Sequence, residues 1–345
     1  MVPEESVRSL VADRPASENV GIMLPINQGL PLGDLVELAV HAERCGLDAI
    51  GIGEYASNDA FALAAAIAMR TERIRIETCV VSVVSRSPAL LAMGTATVDQ
   101  LSGGRFVLGL GAGSPVVAGF HGQPFERPLE SVGRTVAAVR RVLDGERLEE
   151  RRFELRMPAP GHVPIMLSAL NPGMLRLCAR ETDGVMLPLL CSPHLVGELA
   201  ATVGEIRADL PDAGGFETLA IQHAAATSDD RARERVKREV GGYFLVPTYR
   251  RAALDLVGEE ELERAAEAHA SGGMDAVVEW LPEQAVDQVF VGGGVDEFAA
   301  RVQQYEEVGC NGVRFTPVTL EAGDVSAARR LVEVLGEVRE RRVSA

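Results

Sequence analysis

Residues 73–113 read RIRIETCVVSVVSRSPALLAMGTATVDQLSGGRFVLGLGAG. Ile74, Ile76 and the run 79–84 are apolar and mostly β-branched, the composition of a buried strand. Pro88 then opens a helical pattern of Leu90, Leu91, Met93, Ala96, Val98 and Leu101, and Gly103-Gly104 stops it. Phe106-Val107-Leu108-Gly109-Leu110 gives a second buried strand that runs into Gly111-Ala112-Gly113-Ser114. Two apolar strands joined by a crossover helix form a βαβ unit, so the sheet is parallel and covered on both faces. Such sheets carry their chemistry at the carboxyl ends of the strands, where residues 82–87 and 109–114 both lie.

The same alternation continues in both directions. Strand patterns occupy 20–24, 49–53, 164–168, 184–187, 219–225 and 312–316, with helical patterns at 33–45, 59–70, 128–143, 172–180, 193–208 and 325–341. Three helix-to-strand junctions echo one another: Cys45-Gly46-Leu47-Asp48-Ala49-Ile50, Glu181-Thr182-Asp183-Gly184-Val185-Met186 and Val308-Gly309-Cys310-Asn311-Gly312-Val313. One αβ loop chemistry repeated around a ring is what a closed barrel needs. The expectation is an α/β chain folded as a (β/α)8 TIM barrel, with a helical insertion between strands 7 and 8 at about 229–294. Residues 19–345 form one domain on this reading, and the polar, Pro-containing stretch 1–18 is a flexible N-terminal tail. Within the insertion, charge at 229–240 and 258–270 suits solvated helix faces. Tyr243-Phe244-Leu245-Val246-Pro247-Thr248-Tyr249 either lines a pocket or packs the insertion.

Composition narrows the function. An apolar fraction of 47% over 345 residues supports a large core, and a formal charge of −16 disfavours nucleic acid and anionic membranes. No apolar run reaches the ~18 residues of a membrane span, and the N-terminus lacks a signal-peptide core, so a cytoplasmic protein is expected. The five cysteines form no C-x-x-C or Cys/His cluster, so neither a metal site nor a disulfide framework is expected. The turn after the fourth strand is not a dinucleotide fingerprint: G-x-G-x-x-G counted from Gly109 would need glycine where Ser114 stands. A loop, SPVVAGFHGQPFERP, is expected to follow it rather than a helix.

The segment TCVVSVVSRSPALLAMGTATVDQLSGGRFVLGLGAG resembles the bacterial luciferase-like superfamily, in particular its branch using the deazaflavin coenzyme F420. GLDAIGIGEY, PIMLSALNPGMLRLCARETDGVML and VDQVFVGGGVDEFAARVQQYEEVGCNGVRF extend the resemblance in order from Val20 to about Thr316. It implies a cis peptide at Cys79–Val80 behind the coenzyme ring. It also implies a Gly-lined wall at Gly111, Ala112 and Gly113, and phosphate binding by backbone groups of Ser168, Ala169, Leu170 and Asn171. The residues themselves agree in part, since Asn171 suits an N-cap, Pro172 suits the first helical position, and N–H groups beyond it suit an anion.

Where the family commonly has Asp-His or Glu-His after strand two, this chain has Glu54-Tyr55. These two are expected to be the catalytic pair nearest the substrate, with Tyr a poorer proton shuttle than His at neutral pH. Ser114 stands where the family's sugar-phosphate dehydrogenases carry an acid, which argues against sugar-phosphate oxidation. Arg86 could meet an anionic coenzyme group, and His223 either points into the barrel or is a satisfied core histidine. The implied function is hydride transfer between F420 and a small organic substrate at the carboxyl face of the barrel, in a homodimer. The alternatives are an FMN-dependent monooxygenase and a non-catalytic flavin- or deazaflavin-binding protein.

Overall fold

The computed structural model describes residues 19–148, 152–211 and 214–343. The tail expected over 1–18 lies outside the described residues. The strands are β1 (Val20–Met23), β2 (Ala49–Ile52), β3 (Arg75–Thr78), β4 (Val81–Ser82), β5 (Phe106–Gly111), β6 (Ile165–Ser168), β7 (Gly184–Leu187), β8 (Glu217–Ala225), β9 (Phe290–Gly292) and β10 (Gly312–Pro317). Strands β1, β2, β3, β5, β6, β7, β8 and β10 pair in that order, all parallel, and β10 returns to β1. This closes a TIM barrel of 8 strands. Strand β4 resumes the path of β3 beside β5, after a cis peptide at Cys79–Val80. Strand β9, which the sequence patterns do not reveal, lies parallel to β8 at residues 223–225.

The helices are α1 (Leu32–Arg44), α2 (Ala60–Ala68), α3 (Pro88–Ser102), α4 (Pro115–Phe120), α5 (Pro128–Leu143), α6 (Pro172–Glu181), α7 (Pro193–Ala208), α8 (Asp230–Phe244), α9 (Arg250–Trp280), α10 (Glu283–Val289), α11 (Val295–Glu307) and α12 (Val325–Val343). Helix α4 corrects the expected loop. Ser114 is extended and accepts a hydrogen bond from the Val117 N–H at 3.2 Å, so it caps a helix that starts at Pro115. Between β8 and β10 stand α8, a 3-10 turn at Pro247–Tyr249, α9, α10, β9 and α11. Helix α9 is interrupted at Gly258 (φ 78°) and Gly273 (φ 66°), left-handed positions that glycine occupies without a Cβ penalty.

The three echoing junctions share a physical job. Asp48 accepts a hydrogen bond from the Val20 N–H at 3.0 Å, Asp183 from Ile165 at 2.8 Å, and Asn311 from Thr218 at 2.9 Å. In each case a polar side chain of the αβ turn satisfies the backbone at the start of the neighbouring strand. Gly46 (φ 82°) and Gly309 (φ 83°) turn the chain there. The repeat seen in sequence is therefore a repeated strand-start clamp.

Inside the barrel the layers differ in chemistry. At the amino end Arg75, Glu77, Glu217 and Arg314 form a buried cluster in which two cations meet two anions. Arg314 grips Glu77 through Nε at 2.8 Å and Nη2 at 2.7 Å, and donates to the Asn19 carbonyl at 2.9 Å. Above this sits an apolar layer of Met23, Cys79, Val107, Met166, Met186 and Leu219. Gly109 is the small partner that lets this layer close, because a Cβ there would collide with the Thr78 carbonyl and Met186. The carboxyl end of the barrel is left open.

Candidate active site

A cavity of about 650 Å³ occupies that open end, a volume ordinary for a cofactor or small-molecule site. Its floor is the upper side of the apolar layer, with Met23, Cys79, Val80 and Ile221. Val80 lies against Gly111, where an added Cβ would come within 2.7 Å of Val80 Cγ2. The bare glycine is thus what seats Val80. Met23, Leu24, Pro25 and Ile26 at the end of β1, and Pro188 and Leu189 after β7, add apolar wall. The far wall belongs to the insertion: Arg235, Glu239, Gly242 and Tyr243 from α8, then Val246 and Tyr249. Tyr243 and Tyr249 pack ring on ring at 4.8 Å. Burial, with Glu239 nearby, raises Tyr243 above the usual tyrosine range, and burial does the same to Tyr249, so both phenols stay protonated.

Of the residues singled out from sequence, Glu54, Tyr55, Cys79, Val80 and Ser168 line this cavity. Gly111, Ala112, Gly113, Ala169, Leu170 and Asn171 do not. Gly111 acts behind Val80, and a Cβ on Gly113 would strike Ser82, so this turn supports the bulge from outside the cavity. Ala169 and Leu170 are buried, and Arg251 of α9 donates to the Leu170 carbonyl at 3.1 Å. Asn171 is the extended N-cap of α6, but its side chain makes no capping hydrogen bond. The first N–H groups of α6 are therefore not satisfied by that side chain, which suits an anion.

Glu54 is already engaged. Both of its oxygens take Arg86, with Nη2–Oε2 at 2.7 Å, and Oε2 also accepts the Ala60 N–H at 3.0 Å at the start of α2. Arg86 in turn reaches Asp59 at 2.6 Å and lies 5.1 Å from the centre of the Phe61 ring. Arg86 is thus committed to Glu54 and Asp59, not to the coenzyme anion suggested by its place after strand three. Burial opposes the charge on Asp59, but hydrogen bonds from Ala62 and Arg86 outweigh it and hold the carboxyl low. Tyr55 is half exposed and stands edge-on to Phe120 of α4 at 5.4 Å.

His223 on β8 is the feature sequence reading left open. Its ring is 1% exposed, lines the cavity, and has no hydrogen-bond partner on either nitrogen. Glu239 Oε2 is 3.7 Å from Nδ1, beyond hydrogen-bond reach. Burial lowers the His223 pKa below the usual value, against the opposing pull of Glu239. The period-2 signal was present, since Leu219, Ile221 and His223 share the inward face of one strand. Glu239 carried no such signal, because its helix reads as a solvated charge run.

Among the described residues no group of three or more His, Cys, Asp or Glu side chains could hold a metal ion, and no helix is long and apolar enough to cross a membrane.

Comparison with known proteins bears on the same region. The family model of luciferase-like monooxygenases matches residues 18–312. A Mycobacterium tuberculosis protein, provisionally named a coenzyme F420-dependent oxidoreductase, is 28% identical over 93% of this chain and 99% of its own length. The 5,10-methylenetetrahydromethanopterin reductase of Archaeoglobus fulgidus is 27% identical over 78% of this chain and 84% of its own. The solved structure of the coenzyme F420-dependent tetrahydromethanopterin reductase from Methanopyrus kandleri superposes with a TM-score of 0.75 at 18% identity. That superposition covers 94% of this chain and 99% of the other.

Proposed function

The chain belongs to the luciferase-like monooxygenase family, and within it we propose an F420-dependent oxidoreductase that transfers a hydride to or from a small organic substrate at the carboxyl end of the barrel. The observation that carries this reading is the cavity itself. Its floor is apolar across Met23, Val80 and Ile221, and its volume of about 650 Å³ is ordinary for a cofactor or small-molecule site. The names of relatives matched over most of their length support the choice of coenzyme. Bound there, the deazaflavin supplies a two-electron hydride carrier. Val80, seated on Gly111, would back the ring. The open N-terminus of α6 after Asn171, with Arg251 of α9 bonded to the loop before it, would hold the anionic tail. Tyr55, Tyr243 and Tyr249 close the wall around the substrate and exclude water. We also propose that the chain works as a homodimer in the cytoplasm.

Titration of the purified protein with F420 and with FMN, followed by fluorescence, tests the reading. Saturable F420 binding at micromolar concentration, with FMN much weaker, is expected. Tight FMN binding with oxygen consumption, and no F420 binding, would establish the monooxygenase alternative instead.

A further inference from the structure

Of the side chains that line the cavity, His223 is the one whose polar atoms are fully buried with no hydrogen-bond partner. Arg235 is the one arginine or lysine among the residues lining the cavity, and it faces Glu239 of its own helix at 3.5 Å. Glu54 is held by Arg86 and the Ala60 N–H. Among the described residues that line the cavity, no arginine or lysine without an acidic neighbour is therefore offered to a carboxylate or phosphate substrate. His223 remains, a ring removed from water with both nitrogens unpartnered. A buried polar group left unpaired costs about 1–3 kcal/mol, so this ring calls for a partner that the protein's own groups do not supply.

We propose that His223 exchanges the proton of an uncharged alcohol or its matching carbonyl compound at this site, with Glu239 as its positioning residue. The proposal rests on the F420-dependent reading and supplies the proton-handling group that Tyr55 provides poorly. A neutral ring carrying its proton on Nδ1, toward Glu239, keeps the Nε2 lone pair free. In the oxidising direction the carbinol carbon gives up a hydride, with its electron pair, to oxidised deazaflavin. The O–H bond breaks, its electron pair becomes the second bond of the carbonyl, and its proton moves to His223. The alcohol loses two electrons, the deazaflavin gains two, and the ring releases its proton to solvent past Glu239, whose side chain is 36% exposed. Reduction of the carbonyl runs the same path backwards. The aromatic rings of Tyr243 and Tyr249, with Val246 and Leu189, suit an apolar body on that substrate.

The charged and titratable groups facing His223 from the surrounding elements are Glu239, Arg235 and Tyr243 on α8, Tyr249 beyond it, Cys79 after β3, and Glu54 and Tyr55 after β2. Glu239 is the nearest carboxylate, so its charge is the one to change. The test uses full-length protein with 15N-labelled histidine rings, first alone and then loaded with F420. Cyclohexanol is the neutral probe and 4-hydroxycyclohexanecarboxylate its anionic counterpart. Cyclohexanol is expected to shift the His223 ring resonances while the carboxylate does not. Glu239→Gln is expected to move the His223 titration further down, since a neighbouring negative charge is gone. His223→Leu is expected to bind F420 within twofold of the wild type and to melt no lower, because an unpaired polar ring has been replaced. Its hydride transfer from cyclohexanol should fall about 100-fold or more.

A His223→Leu protein that keeps its transfer rate, or His223 resonances indifferent to both probes, overturns the proposal. A response to the carboxylate alone overturns the substrate class. Failure of the wild type to bind F420 counts against the function itself, and the ligand-free His223 titration in wild type and Glu239→Gln still reads the His223–Glu239 pairing. Should His223→Leu not fold, His223→Gln carries the same comparison.

Discussion

Glu54 stands where the family places its acid, and the structure makes it a joint between β2, α2 and the loop after β4. Replacing it with Gln removes one negative charge from a pair whose side chains are 10% and 11% exposed. Arg86 would keep Asp59, at 2.6 Å, and its stacking over Phe61, so the cation is not stranded. Breaking a fully buried ion pair costs about 3–5 kcal/mol, and the retained Asp59 contact puts this one near the lower bound, about 3 kcal/mol. With an unfolding entropy of about 2.1 cal/mol/K per residue, a 345-residue chain would lose about 4 °C in Tm. Arg86→Met should cost as much or more, because it leaves Glu54 with the Ala60 N–H and a long bond from the Ser85 hydroxyl but no cation. The double variant should cost clearly less than the sum of the two, which a thermal-melt cycle measures. F420 affinity and the rate of hydride transfer should change by less than tenfold in Glu54→Gln. An unchanged Tm together with a 1,000-fold loss of transfer would refute the reasoning and restore Glu54 as the acid of the reaction.

Two further expectations concern the rest of the barrel. Burial pushes the Asp99 carboxyl up to about 6 despite a hydrogen bond from the Phe106 backbone, so the folded state holds a proton that the unfolded chain has released. Stability should therefore fall as pH rises from about 4 to about 6 and stay reduced above that, by about 2–3 kcal/mol. Asp99→Asn should flatten this slope in urea unfolding at pH 4.5 and pH 7.5, and a slope unchanged in the variant would assign it to other groups. Arg314→Met breaks the buried cluster and should cost about 3–5 kcal/mol, with Arg314→Met/Glu77→Leu recovering most of it. A double variant no more stable than the single one in denaturant would show that the cluster is not merely a charge-balance problem.

Much of the barrel was legible because its signals are local. Each strand is a short apolar run between a turn and a helix, and marks such as Pro88 and Gly103 sit where a helix begins and ends. Strand β9 was not legible. It is three residues long, and it is a strand only because β8 extends past β7 and offers its edge at residues 223–225. Helix α4 was missed because six residues with two glycines nearby look like a loop until Ser114 is seen to accept the Val117 N–H. The site divides the same way. Ser168 ends its strand, and that end could be read, whereas Cys79 and Val80, between β3 and β4, came from the family resemblance. That Glu54 is spent on Arg86, 32 residues away in the chain, is a tertiary fact that no pattern carries.

Helix α8 shows why the chemistry of this cavity was hardest to read. Its sequence, DRARERVKREVGGYF, looks like a surface helix, and most of its charges do face water or pair with neighbours such as Glu283. At 3.6 residues per turn, Arg235, Glu239 and Gly242 recur at spacings of four and three, so they fall on one stripe. That stripe, with Tyr243 beside it, lines the barrel mouth, where Arg235 and Glu239 stay partly open to solvent. A helix can therefore be charged on nearly every face and still present a functional edge, because burial is decided by what the preceding strand aims at it. Here β8 aims His223, and Glu239 is the residue on α8 that meets it. The pairing follows from two periods, 2 along the strand and 3.6 along the helix, read together across the turn that joins them.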